Sequence, residues 1–418
     1  MSATIIALRA GQPEQNTTVP TPLSNPDSHQ SDNLHSIQFS CHDRIGNLAA
    51  EWQEFEKTAV GGLSESLEWC SAWLEIAEGQ NIRPKIIVGR SEAGKIVIVL
   101  PFALVKRLGA RVACWLGEPI SNHGIGLYDP AWLASEPPWQ DLWPRIEACL
   151  GAFDALHLRA MPETWDGFPH PLRRLANIRQ ANDTYVTQLT GDFDELYHRK
   201  RSSESRRGER KRDSRLERSG NITLMRPQND AERDALLETL FAQRRTRLGK
   251  NGIAARFDEM ELAFAKQLGR NCEGSPCRMV LLALCLNGMT LAVTLGCSFR
   301  GTYHALTRSM AEGFEQKHSP GDAVLRRTIE ECYALGLERL DFGPGFSSYK
   351  LEWADETIPL RDALHARRAR GIPYLLIAGM QIILKRRIKT SRVLWPQIRK
   401  LRRLVGRFKP GRSPSIGG

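Results

Sequence analysis

Arg278-Met-Val-Leu-Leu-Ala-Leu-Cys-Leu286, then Asn287-Gly288, then Met289-Thr-Leu-Ala-Val-Thr-Leu-Gly-Cys-Ser-Phe299, then Arg300-Gly301, then Thr302-Tyr-His-Ala-Leu-Thr-Arg308: this run decides the fold of the 418-residue chain. Three apolar stretches of strand length are separated by two-residue turns. Asn-Gly supplies the two positive φ values of a tight I′ hairpin, so the run predicts a three-stranded antiparallel meander. Downstream, Ser319-Pro-Gly-Asp carries helix-start signals, and Gly336 ends the helix that begins there. Val324, Leu325, Ile329, Cys332 and Tyr333 fall on one face of that helix. A strand, Leu337-Glu-Arg-Leu-Asp-Phe342, leaves it. Meander, helix, strand implies an α/β (α+β mixed) sheet with helices on both faces.

Upstream, the segment Arg199–Arg218 reads as one very basic helix stopped by Gly220, with ion pairs along it linking Glu209 and Asp213 to Arg206 and Arg210. Further helices are expected around Ala231–Leu248 and Asp258–Leu268. The N-terminal part shows the same plan. Helices at Asn47–Glu56 and Ser66–Ala77 precede strands at Lys85–Arg90, Lys95–Leu104 and Arg111–Gly117. Each part therefore reads helix, helix, strand hairpin, and the pair are expected to be related folds. The expected division is 1–35 disordered, 36–190 a first lobe, 191–365 a second lobe, and 366–418 a basic amphipathic tail.

The net charge of +11 belongs to that tail. Residues 361–418 hold 16 Lys/Arg against Asp362 alone, while residues 1–360 hold 42 basic and 46 acidic residues. The mildly acidic body argues against a nucleic-acid groove across it. The tail includes an apolar run, Ile372–Leu384, too short to span a bilayer, and then Ile398, Leu401, Leu404, Val405 and Phe408 among cations. This pattern suits a helix on an anionic membrane surface or one packed on the body. No basic cluster followed by an apolar core marks a secretory signal, so the expected location is cytoplasmic, with peripheral contact at the inner membrane. Nine Cys are scattered with no C-x-x-C, which predicts reduced thiols and neither a metal site nor a disulfide framework.

Several residues are candidates for chemistry. Ser319 and Gly321, with Arg326 one turn on, open either a helix end able to hold phosphates or an ordinary capped helix. The stretch Asp341-Phe-Gly-Pro-Gly-Phe-Ser-Ser-Tyr349-Lys350 follows a strand. Tyr349 could act as a general acid and Lys350 as an oxyanion partner, or the turn could be structural. Strand alternation puts His304 and Arg308 on one face, with His304 a base candidate, and His123 lies in a polar loop.

With these residues together, the chain resembles the GNAT-type acyltransferases of the CelD-like group, linked to cellulose and exopolysaccharide biosynthesis and akin to the FemAB peptidyltransferases. The basic helix, the Asn287-Gly288 hairpin, Ser319-Pro-Gly, Asp341-Phe-Gly and Tyr349-Lys350 with Trp353 carry the likeness. Ser66-Leu-Glu-Trp69, Leu100-Pro-Phe and the loop at Ser121 extend it over the first lobe. His123-Gly124 replaces the commoner Asp-Tyr pair, and no full pyrophosphate loop precedes Ser319. The resemblance implies two GNAT-like lobes, the first degenerate, and acyl transfer from acyl-CoA without a metal. It implies donor phosphates at Ser319, Gly321 and Arg326. Tyr349, Lys350 and His304 would act in catalysis, and Arg308, Asp341 and His123 would bind the acceptor. That acceptor would be a sugar nucleotide or polysaccharide precursor. Transfer from an aminoacyl-tRNA, with the basic helix on RNA, is one rival; an inactive scaffold of a polysaccharide synthase is another.

Overall fold

The computed structural model describes residues 37–251, 253, 258–313, 318–391, 393–395 and 397–398. The segment 1–35 and the apolar positions from Leu401 onward lie outside these residues. A 14-stranded sheet organises the chain. Its main strands are β1 (Gln38–His42), β2 (Ile82–Arg90), β3 (Ile96–Arg107), β4 (Ala110–Trp115), β5 (Ala155–Pro162) and β6 (Ile178–Gln188). They continue with β7 (Ile222–Met225), β8 (Arg278–Leu286), β9 (Met289–Phe299), β10 (Thr302–Met310), β11 (Arg339–Asp341) and β12 (Glu356–Ala366). The spatial order is β1-β2-β3-β4-β5-β12-β6-β11-β10-β9-β8-β7. From either edge, three antiparallel pairings lead to one parallel pairing, β4 with β5 or β10 with β11. An antiparallel pairing then reaches the middle, where β12 meets β6. The sheet is therefore two copies of one pattern about a central two-fold. The halves exchange a strand: β6 joins the second half, and β12 joins the first.

Turn chemistry repeats with the pattern. Asn287-Gly288 and Arg300-Gly301 have φ of 49°, 80° and 48°, 71°, and Leu108-Gly109 between β3 and β4 matches them at 48°, 78°. Only the glycines take the second left-handed position without a Cβ penalty. The meander forms as its sequence indicates.

Helices α1 (Ala49–Glu56), α2 (Leu67–Ile76) and α3 (Trp139–Leu150) serve the first half. The second carries α4 (Phe193–Lys200), α5 (Ser203–Arg218), α6 (Asp230–Lys250), α7 (Asp258–Asn271), α8 (Pro320–Ala334) and α9 (Ser348–Trp353), and α10 (Ile372–Thr390) follows β12. Ser66 caps α2, its Oγ accepting from Trp69 N at 3.2 Å. That fixes the turn from which Trp69 and Trp73 meet Phe264 of α7 edge-on, centroids 4.6 and 6.4 Å apart. These buried rings tie the halves together, and removing one costs about 3–5 kcal/mol.

Three local expectations are corrected. The basic segment is two helices rather than one, because Ser202 Oγ accepts from Ser205 N at 3.1 Å and starts a new helix. Glu209 is buried and accepts from Tyr197 Oη and Arg201, while Asp213 binds Arg326, so neither carboxylate serves an ion pair along its own helix. Finally, β10 bulges at Leu306: Thr307 pairs with Leu295 and Ala305 with Gly296. One extra residue inverts the alternation, so Arg308 and His304 point to opposite faces of the sheet.

The tail helix α10 packs its inner side on the central strands β6, β12 and β5, with Ala378 buried and Tyr374 and Leu375 against the core. Ile372, Leu376, Ile377, Met380, Ile383 and Leu384 are exposed. Among the described residues, no helix is long and apolar enough to cross a membrane.

Candidate active site

The second half's parallel pair decides where chemistry fits. β10 and β11 are joined only from Thr302 to His304 against Arg339 to Asp341. β11 then ends, and the chain turns away through Gly343 and Pro344. The strands part and leave backbone groups of β10 facing a gap. Leu306 and Thr307 on one side and Pro344 on the other line a cavity of about 310 Å³ between the two halves. Trp69, Trp115, Phe241 and Phe264 provide apolar walls, and Arg159, Gln180, Asn182, Arg244 and Glu261 provide polar ones.

On the opposite face lies α8. Thr294 Oγ1 meets Thr328 Oγ1 of that helix at 2.8 Å, and Arg308, paired with Thr294, shares this side. Its Nη1 donates to Gly321 O at 3.0 Å, and its guanidinium carbon lies 3.8 Å from the Tyr349 ring centroid. Arg308 and the start of α8 thus lie on the face of the sheet opposite the cavity. Ser319 sits in the left-handed region at φ 53° and makes no side-chain capping bond, so it turns the chain into the helix without capping it. Among the described residues, a Cβ on Gly321 would meet Met310 Sδ, at 3.6 Å. Arg326 does not face this entrance: Asp213 grips it at 2.6 and 2.7 Å, with Glu209 at 3.6 Å. The expectation that it holds a phosphate is replaced by a buried ion cluster joining α8 to α5.

Asp341 forms the polar centre. It is fully buried, and its Oδ1 accepts from Thr184 Oγ1 of β6 and from Gly343 N, both at 2.9 Å. Its Oδ2 stands 3.5 Å from His123 Nδ1 and 3.6 Å from His304 Nδ1. Burial alone would raise the carboxyl, but the two imidazoles and the Gly343 N–H outweigh it and hold Asp341 well below the usual carboxylate range. Burial lowers His123 to about 4 despite the attraction of Asp341. Its ring is thus neutral near pH 7, with Nδ1 toward the carboxylate. His123 lines the cavity, and its Nε2 is buried without a hydrogen-bond partner. His304 lies behind, stacked on Trp165 at 6.1 Å. Lys350, lowered by burial to about 8, donates to Gly343 O and Pro344 O at 2.9 and 3.1 Å. It braces the turn after β11. Burial raises Tyr349, opposed by Arg308 and Arg247.

Eight of the nine residues singled out in the sequence thus lie around this gap, and Arg326 faces elsewhere. The sequence reading missed Thr184, and it missed Asn122, whose Nδ2 donates to Ala305 O at 3.3 Å and carries the first-half loop across β10. A Cβ on Gly343 would lie 2.9 Å from that Nδ2, so this glycine permits the approach of the two halves. The pairing of Ser121-Asn-His with strands 180 residues away had no local signal.

The first half has the equivalent parting. β4 and β5 pair only at Val112 and Ala113 against Ala155 and Leu156. Here Tyr374 of α10 enters, its hydroxyl 2.7 Å from His157 Nδ1, and Asp362 Oδ2 stands 3.5 Å from His157 Nε2.

Residues 203–351 match the family model described as an acetyltransferase (GNAT) domain, spanning α5 to the middle of α9. The matched residues lie within the second half. FemX has the same fold, with a TM-score of 0.54 at 11% identity over 79% of this chain and 98% of FemX. L-PGS from Bacillus licheniformis is similar at TM-score 0.46 and 12% identity, covering 76% of this chain and 97% of that one. A tandem GNAT protein from the clavulanic acid biosynthesis pathway scores 0.40 at 11% identity, covering 79% and 98%. No curated protein matches the chain.

Proposed function

We propose that the protein transfers an acyl group from acyl-CoA to an amine or hydroxyl of a sugar or polysaccharide precursor, at the cytoplasmic face of a membrane. One observation carries this reading: β10 and β11 part beside the cavity lined by Leu306, Thr307 and Pro344, and the start of α8 lies on the opposite face of the sheet. A thioester threaded there keeps its phosphates at the amide end of a helix and its carbonyl beside the cavity. The acceptor enters from the cavity. His123 Nε2 takes its proton, with Asp341 orienting the ring through Nδ1. The freed nitrogen or oxygen bonds to the acyl carbon, the C–S bond breaks, and Tyr349 gives its proton to the leaving sulfur. Aromatic walls with interspersed amide, carboxylate and guanidinium groups suit a sugar, whose faces are apolar and whose rim is hydroxyl. The sugar class rests on the CelD-like resemblance and this lining.

The test combines thermal shift with thiol release from acetyl-, malonyl- and long-chain acyl-CoA in the presence of sugar nucleotides. Stabilisation by CoA esters and acceptor-dependent thiol release are expected. No stabilisation by any ester would sink the reading.

The membrane part rests on the exposed apolar side of α10, which leads into Lys385, Arg386, Arg387 and Lys389. Ending the chain at Leu364 would strip Tyr374 and Leu375 from the core, so the anchor is better tested by Leu376→Glu with Met380→Glu. Loss of binding to anionic vesicles with transfer in solution retained is expected.

A second reading, transfer from aminoacyl-tRNA, draws on α5. Arg207, Arg210, Lys211, Arg215 and Arg218 are exposed and make no ion pair among the described residues. Salt-sensitive binding of charged tRNA, absent in an Arg210→Glu, Lys211→Glu variant, would favour it.

A further inference from the structure

The nine cysteines show no metal signature in sequence, yet three converge in the fold. Cys272 opens the turn after α7, Cys277 precedes β8, and Cys297 lies on β9 opposite Met279. Their sulfurs all lie within 4.8 Å of one another, and Cys272 Sγ is 3.2 Å from Cys277 Sγ. All three are buried. Three sulfurs each about 2.3 Å from one cation would stand roughly 3.8–4.0 Å apart, so the triad needs only small shifts to close around an ion. The cluster has a carboxylate neighbour, Glu68 of α2: its Oε1 accepts from Ser275 Oγ, and its Oε2 is buried without a hydrogen-bond partner. It also has an entrance. Cys272 lines a surface groove with Arg233, Gly269 and Glu273. Arg233, ion-paired with Asp230 and Asp234, lines the same groove.

We propose that Cys272, Cys277 and Cys297 form a three-thiolate site for a thiophilic d10 cation, with Zn(II) the natural occupant. Binding exchanges the thiol protons for the metal, so up to three protons are released per ion. The ion would fasten α7 to β8 and β9, directly beneath the Trp69–Phe264 contact between the halves.

The probe is Cd(II) titrated into the full-length reduced protein, followed by thiolate-to-metal charge-transfer absorption in the ultraviolet. One equivalent with a sharp end point is expected, together with a higher unfolding temperature on adding Zn(II). Cys297→Ser and Cys272→Ser should each weaken Cd(II) binding at least about a hundredfold, while Cys285→Ser and Cys332→Ser bind like the parent. Two serine positions guard against one variant failing to fold, and the parent titration stands without either. No charge-transfer band, a signal lost equally in Cys332→Ser, or a Cys272–Cys277 disulfide in the freshly isolated protein would overturn the proposal.

Discussion

The two halves carry the same strand pattern and put their parallel pairs to opposite uses. In the second half, β10 and β11 part around a gap that leads to a cavity, and a buried His–Asp pair sits at its edge with one ring nitrogen unpartnered. In the first half, β4 and β5 part as well, but there Tyr374 hydrogen-bonds His157 Nδ1, and Asp362 behind it accepts from Ala160 N and Gln180. The same polar residue types are present in both places. His123 Nε2 and His157 Nε2 both lack a hydrogen bond, so what separates a site from a brace is free volume: of the two, His123 lines the cavity.

The largest test of that contrast exchanges one histidine at a time. His123→Ala should lower kcat/KM by about 10²–10⁴, the usual contribution of a general base. His157→Ala should leave turnover near the parent value and lower the unfolding temperature instead. Equal losses of turnover would dissolve the distinction.

A smaller effect comes from the two tyrosines. Tyr349→Phe should cut turnover at least about tenfold with folding intact. Tyr374→Phe should keep turnover and cost about 1–3 kcal/mol of stability, because a buried nitrogen of His157 loses its partner. Unchanged turnover in Tyr349→Phe would remove it from the mechanism.

The smallest effect is in the pH dependence. Burial raises Glu56 and Glu65 in the first half to about 8, Glu56 further by its neighbour Glu68. A raised carboxyl stabilises fully below its unfolded pKa near 4.5, and that contribution is lost as pH climbs toward 8. Asp341 has the opposite sign: its contribution is present above the unfolded value and is lost only in strong acid. Unfolding temperature should therefore fall between pH 5 and 8, and Glu65→Gln should flatten the fall. An unchanged slope in that variant would show that Glu65 is ionised throughout.

Much of the fold was legible because local chemistry and global pattern agree. Asn287-Gly288 fixes a hairpin, and Ser66 fixes where α2 begins. The site was legible as residue types but not as an arrangement. His123 and Asp341 meet only because a first-half loop crosses β10, and a bulge at Leu306, invisible to a two-residue alternation, sends Arg308 to the α8 side. Arg326 was misread because a cation one turn into a helix looks the same in sequence whether it awaits a phosphate or already holds Asp213. The cysteine triad joins the turn after α7 to β9, with its ends 25 positions apart, so no spacing rule could collect it.

The most direct measurement is hydrogen exchange with and without an acyl-CoA. Protection should appear in Leu306–Met310, Gly321–Leu325 and Phe342–Ser347, and exchange at Cys114–Gly117 and His157–Ala160 should be unchanged. Protection at the first-half gap, or none at the second, would contradict the account.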